Sequence, residues 1–157
     1  MPFLTAVCNE TLRLYPPAPA TARRAVVPTT IGGVQIPQGT TATIAPWAIN
    51  RSRALWGTNA DQFNPDRWLD GPNAATGGAT SPYAFLTFLH GPRSCIGQSF
   101  ARLEMKCLLA ALVTRLRFEV ADPDRKVEIG GFFIIKPQGG MTLKVHHLQE
   151  NADQNDR

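Results

Sequence analysis

The stretch Phe88-Leu89-His90-Gly91-Pro92-Arg93-Ser94-Cys95-Ile96-Gly97 decides how the rest of this sequence is read. One cysteine sits in a segment interrupted by Gly91, Pro92 and Gly97, and a helical pattern starts at once from Gln98. Glycine and proline break regular structure and set tight backbone geometry, so the spacing predicts a shaped loop docked on a helix N-terminus.

The thiolate, not the thiol, ligates metal, and backbone N–H groups together with the positive end of a helix dipole favour negative charge at Cys95. Gly91 and Gly97 suit the close approach of a flat ligand, and Arg93 suits pairing with a carboxylate on its rim. Phe88 suits lying against the sulfur and limiting water access. These residue types point to a thiolate bound to metal, with the iron of a haem the best fit. Three alternatives stay open on the residues alone. An iron–sulfur cluster needs several cysteines, and only one is local. A catalytic cysteine with His90 as base lacks a further partner and leaves the glycines unexplained. A structural turn around a buried cysteine fits the composition as well as the metal site does.

Working outward, the chain has 157 residues, 43% of them hydrophobic, enough for one domain-sized core. Its 13 Gly and 13 Pro predict helices separated by much loop and hairpin. The formal net charge is +4 and is scattered along the chain without a basic block interleaved with aromatics, which argues against nucleic-acid binding. Three cysteines (Cys8, Cys95, Cys107) at irregular spacing fit neither a disulfide framework nor a zinc site and point to a reducing, intracellular chain. Cys8 and Cys107 lie in apolar helical patterns and read as small core residues. No signal peptide or membrane-spanning run is visible.

The periodicity predicts a helix from Pro2 to Tyr15, ended by Pro16 and Pro17. Within it Glu10 and Arg13 share a face, a pair worth about 0.2–0.5 kcal/mol if it lies on the surface. A β-prone run is expected over 25–30 after Arg23 and Arg24, with short strands over 34–36 and 40–44 and one helix over 46–55. Residues 56–68 read as irregular, with Arg67 beside aromatics, and 70–82 as a loop with little capacity to pack. The strongest helix runs from Gln98 to Leu116. Its stripe of Phe100, Leu103, Cys107, Leu108, Ala111 and Leu112 predicts burial, and Arg102 and Lys106 share the opposite side. Apolar runs over 130–135 and 141–145 predict a hairpin, and the polar stretch from His146 a frayed tail.

The Cys95 stretch resembles the haem-ligand signature of the cytochromes P450: Phe, two variable residues, Gly, variable, Arg, variable, Cys, variable, Gly. Glu10-Thr11-Leu12-Arg13 resembles the family's Glu-x-x-Arg on the K helix, and Pro65-Asp66-Arg67-Trp68 resembles its meander motif, in the family's order. The resemblance implies a mainly α fold with small β-sheets, with residues 1–146 the C-terminal, proximal portion of one domain and 147–157 a polar tail. It implies that Glu10, Arg13 and Arg67 form a buried structural network and that Cys95 is the proximal ligand of haem b. Arg93 would pair with a propionate, as would Arg23, with Arg24 competing for that place. Phe88, Gly91 and Gly97 would shape the haem-facing loop, and segments 18–22 and 132–134 resemble substrate-contacting regions.

In a complete enzyme the resemblance implies a monooxygenase. Electrons from NAD(P)H would arrive through a partner reductase, and one oxygen atom would enter a small hydrophobic organic substrate. The wording of 85–93 is most similar to fungal members, which usually lie on the endoplasmic reticulum membrane by an anchor this chain does not show. The family's I helix, with its threonine for proton delivery, and the roof of its substrate pocket have no counterpart in this sequence. The alternative is therefore a truncated, non-catalytic haem-binding chain.

Overall fold

The computed structural model describes residues 1–131 and 133–148. Helix α1 (Pro2–Leu14) leads, followed by four short strands, β1 (Thr21–Arg24), β2 (Thr29–Ile31), β3 (Val34–Ile36) and β4 (Thr41–Ile44). Two single-turn helices, α2 (Pro46–Ile49) and α3 (Arg53–Trp56), open a long irregular segment carrying 3-10 turns at Pro65–Trp68, Ala74–Thr76 and Gly91–Arg93. Helix α4 (Gln98–Val113) and strands β5 (Leu116–Val120), β6 (Ile129–Gly130), β7 (Lys136–Pro137) and β8 (Leu143–His147) complete it. Among the described residues there are four sheets, each an antiparallel pair: β1 with β4, β2 with β3, β5 with β8, and β6 with β7.

Several elements differ from expectation, each for a local reason. Arg23 and Arg24 lie inside β1, in register with Ala42 and Thr41; Ala25 still bonds across to Thr40 and Gly39, and 26–28 turn away before β2. Pro28 accounts for the break, since it lacks the N–H a ladder needs. The helix expected over 46–55 is two helices, parted at 50–52. The loop expected to pack poorly contributes buried Ala79 to the main apolar cluster, with Trp56, Ala60 and Ala84, against which Leu55, Trp68 and Phe85 lie. The C-terminal hairpin re-pairs: β8 joins β5 rather than the strand before it, and it includes His146 and His147, which the tail reading had frayed. The remainder of that tail, 149–157, falls outside the described residues.

Helix α4 is the largest correction. Its expected stripe faces solvent, with Phe100 at 70% and Leu103 at 59% exposure, and Cys107 is exposed too. Arg102, Met105, Lys106, Leu109 and Ala110 are the half-covered face. Apolar residues surround much of this helix, so periodicity could not choose the side. The choice falls to α1, which packs against α4.

The core is locked by buried charge. Glu10 and Arg13 are both fully buried, and Arg13 Nε and NH2 donate to Glu10 Oε2 and Oε1, each at 2.8 Å. Glu10 Oε1 also accepts from the Asn64 amide and from Arg67 Nε, both at 3.0 Å. Trp68 Nε1 reaches Oε2 at 2.9 Å. The remaining Arg13 donors meet the carbonyls of Asn50 (2.6 Å), Ala60 (2.7 Å) and Gln62 (3.1 Å), so all five guanidinium N–H groups have an acceptor. Arg67 NH2 holds the Asn59 carbonyl at 3.1 Å. The pair is therefore no surface pair, and the irregular segment 50–68 is tied to α1 at four backbone points, Asn50, Ala60, Gln62 and Asn64.

Burial alone disfavours the charged Glu10. The bonds from Arg13, Asn64 and Trp68 and the Arg13 charge outweigh it and hold the carboxyl below the ordinary glutamate value. A folded value below the unfolded one means that the stabilisation is fully present above the unfolded value of about pH 4.3 and is lost as pH falls through the folded value. Glu10→Gln should cost about 3–5 kcal/mol near neutral pH, by stranding two buried guanidiniums, and should flatten the acid limb of stability. Urea unfolding from pH 3 to 7 reads both. Gly77, at φ +66°, would place a Cβ 2.8 Å from the Trp68 ring. Gly77→Ala should destabilise by about 2 kcal/mol, read as a lower urea midpoint at unchanged slope.

Candidate functional site around Cys95

The loop carrying Cys95 is fixed by its own backbone. Leu89 N–H bonds to Leu86 O at 3.0 Å, Ser94 N–H to Gly91 O at 3.0 Å, and Cys95 N–H reaches back to Phe88 O at 2.8 Å. The reversal requires positive φ at Leu89 (+59°) and Gly91 (+77°). Leu89 is the one non-glycine residue in that region among the described residues, a conformation costing roughly 1 kcal/mol or more for an L side chain. Cys95 is exposed at the mouth of this loop, just ahead of α4, whose first residue is Gln98. A side chain at Gly97 would stand 3.9 Å from Cys95 Sγ, and one at Gly91 would enter open space on the same loop.

Beside the loop lies a concavity of about 300 Å³ whose wall includes both Arg93 and Arg23, together with Tyr83 and His90. Residues 70 apart in sequence thus line one cavity, and the Arg23 guanidinium also donates to Ala22 O at 2.8 Å and Thr21 Oγ1 at 3.2 Å. Arg24 is elsewhere, its Nε donating to Gly39 O at 3.2 Å. His90 is engaged too, with its Nε2 3.2 Å from Phe85 O and its ring edge-on to Tyr83 at 5.1 Å. Phe88 packs against Phe85 (6.4 Å between centroids), and the Arg102 guanidinium lies over both rings, 5.2 Å from Phe88 and 5.4 Å from Phe85. Burial pushes the Arg102 pKa down, and its Nε is buried without a hydrogen-bond partner.

The other cysteines stand apart. Cys8 is buried in α1, and burial pushes its thiol pKa up, which disfavours the thiolate. Among the described residues no cluster of three or more His, Cys, Asp or Glu is arranged to hold a metal ion, and no helix is long and apolar enough to cross a membrane. Ile135 N–H donates to Pro17 O at 2.9 Å, a bond that flanks both 18–22 and 132–134. Phe133 and Ile134 are exposed, and Phe132 lies outside the described residues. Sequence reading missed Asn50, fully buried, and the roles of Trp68 and Thr87 as hydrogen-bonding partners of α1. An asparagine beside Arg51 reads as an ordinary loop residue, and only tertiary placement reveals it. The Trp68 N–H was findable, because a tryptophan next to the network arginine brings a donor that burial must satisfy.

Known proteins give a consistent comparison. The sequence profile described as Cytochrome P450 matches residues 1–145. The chain is 51% identical over 144 residues to the cytochrome P450 monooxygenase sphH of Aspergillus fumigatus, covering 92% of this chain and 26% of that protein. It is 43% identical over 159 residues to the cytochrome P450 monooxygenase abl5 of Leptosphaeria maculans, covering 96% of this chain and 29% of that one. The solved structure of a retinoic acid bound cyanobacterial CYP120A1 superposes with a TM-score of 0.83 at 27% identity, over 94% of this chain and 33% of that one. The chain thus spans between a quarter and a third of the length of these relatives. With its helices, small sheets and cysteine loop, this chain belongs to the cytochrome P450 family.

Proposed function

We propose that this chain is the haem-ligating, proximal and C-terminal part of a P450 monooxygenase, with Cys95 as the thiolate ligand of haem b. The observation that carries this is that Arg23 and Arg93 line one cavity beside the loop that presents an exposed Cys95. A flat dianionic macrocycle calls for such a donor set: one soft sulfur ligand and two guanidiniums for its propionates. The glycines fit as well. Gly91 has open space where a side chain would project, and Gly97 keeps the approach to Sγ clear.

In this reading each residue has one task. Cys95 donates its sulfur, and Arg93 and Arg23 hold the two carboxylates and so fix the ring's rotation. Phe88 limits water at the sulfur. The Glu10–Arg13–Arg67 network touches no ligand and holds the segment from which the loop departs. When bound, the haem supplies the iron at which oxygen is activated, with the thiolate's electron donation favouring O–O cleavage. Electrons come from NAD(P)H through a partner reductase, and the substrate is a small hydrophobic molecule reached from the side of segments 18–22 and 132–134. A second reading, haem binding without turnover, is favoured by the 26–33% span of the relatives' length and the bare apolar face of α4.

The test is spectroscopic. Protein reconstituted with haem, reduced and exposed to CO, should show the red-shifted Soret band of thiolate ligation. Cys95→Ser should abolish that band while Cys8→Ser and Cys107→Ser keep it; a band indifferent to Cys95 sinks the ligand assignment. Loaded chain should give no hydroxylated product with a reductase and NADPH if the second reading holds, and turnover would eliminate it.

A further inference from the structure

We infer that Asn50 is a positioning residue for Cys95, transmitting the placement of the buried Arg13 network to the loop that presents the thiol. The inference rests on the haem-thiolate reading of Cys95.

Asn50 is fully buried at the end of α2, with its N–H on Pro46 O at 2.8 Å and its carbonyl receiving Arg13 NH1. Its backbone is therefore pinned to the network before its side chain is considered. The side chain then makes three bonds. Nδ2 donates to Arg13 O at 3.0 Å and to Thr87 Oγ1 at 2.8 Å, while Oδ1 accepts the Leu86 amide at 2.8 Å. Thr87 Oγ1–H in turn donates to Leu12 O at 2.7 Å. Leu12 and Arg13 are in the last turn of α1, where carbonyls have no helical donor, so Asn50 and Thr87 together satisfy two of them.

The consequence lies on the other side of these bonds. Leu86 and Thr87 immediately precede Phe88, whose carbonyl takes the Cys95 N–H, and Leu86 O takes the Leu89 N–H that sets the strained turn. One of these two acceptors, Leu86, is held by Asn50 directly, and the other, Phe88, follows Thr87, which Asn50 also holds. The position asks for two donors and one acceptor on one short neutral side chain. Asparagine meets that demand; aspartate offers no donor, and leucine offers nothing.

Amide hydrogen exchange on the full chain without haem tests this directly. Asn50→Leu should raise exchange at the Leu86 and Cys95 amides roughly tenfold or more while amides inside α1 keep their protection. Thr87→Val leaves Asn50 intact, removes the link to Leu12 O, and should give the same pattern at Cys95. With haem, both variants should lose a larger share of the thiolate-type CO band than of total bound haem. Unchanged exchange at Leu86 and Cys95, or a rise matched throughout α1, overturns the positioning role and leaves Asn50 a general stabiliser. If Asn50→Leu does not fold, Thr87→Val decides by the same criteria. Wild-type chain that lacks the CO band while the exchange pattern holds means that the haem-thiolate reading has failed and the mechanical link stands.

Discussion

Everything in this molecule depends on one buried carboxylate. Glu10 accepts five hydrogen bonds, from Arg13 twice, Arg67, Trp68 and the Asn64 amide. Desolvating a carboxylate and two guanidiniums costs several kcal/mol per ion, and such groups persist only when geometry and hydrogen bonding are close to complete. Here they are: every Arg13 N–H has an acceptor. The surrounding segment is poor in regular structure, so its backbone carbonyls need donors from elsewhere. The arginines supply them, which is why an irregular stretch can be buried at all.

This arrangement separates a hydrogen-bonded interior from an open face. The interior holds α1, the segment 50–68 and the aromatic cluster of Trp56, Trp68 and Phe85. The face holds Cys95, Arg93 and Arg23, all reached by solvent. Between them stand Asn50, Thr87 and the Phe85–Phe88 pair, which fix the loop's root while leaving its tip open. A loop built this way keeps its cysteine exposed while its root is hydrogen-bonded below the surface.

The sequence readings that succeeded and failed do so for physical reasons. Proline limits located α1, and Gly91 marked the cysteine loop, because these residues act on their own backbone. The α4 face was misread because Phe100, Leu103, Leu108 and Met105 leave little polar gap around the helix, and the neighbour that selects a face is α1, far away in sequence. The break in the helix over 46–55 was hidden because Asn50 gains its role from Arg13, Leu86 and Thr87, none of which a local window contains. The re-pairing of β8 with β5 was equally non-local: alternation shows that a strand exists and leaves its partner open.

By itself the sequence determined the residue types at the site, their order, and the family resemblance those motifs carry. Cysteine, arginine and glycine bring their chemistry wherever they are placed. Tertiary structure alone decided that Glu10 and Arg13 are buried rather than paired on a surface, that Arg23 and Arg93 line one cavity, and that Asn50 bonds both the network and the root of the loop. The first and last of those outcomes depend on groups tens of residues apart meeting within about 3 Å, a distance that hydrogen bonding enforces and that chain spacing does not encode.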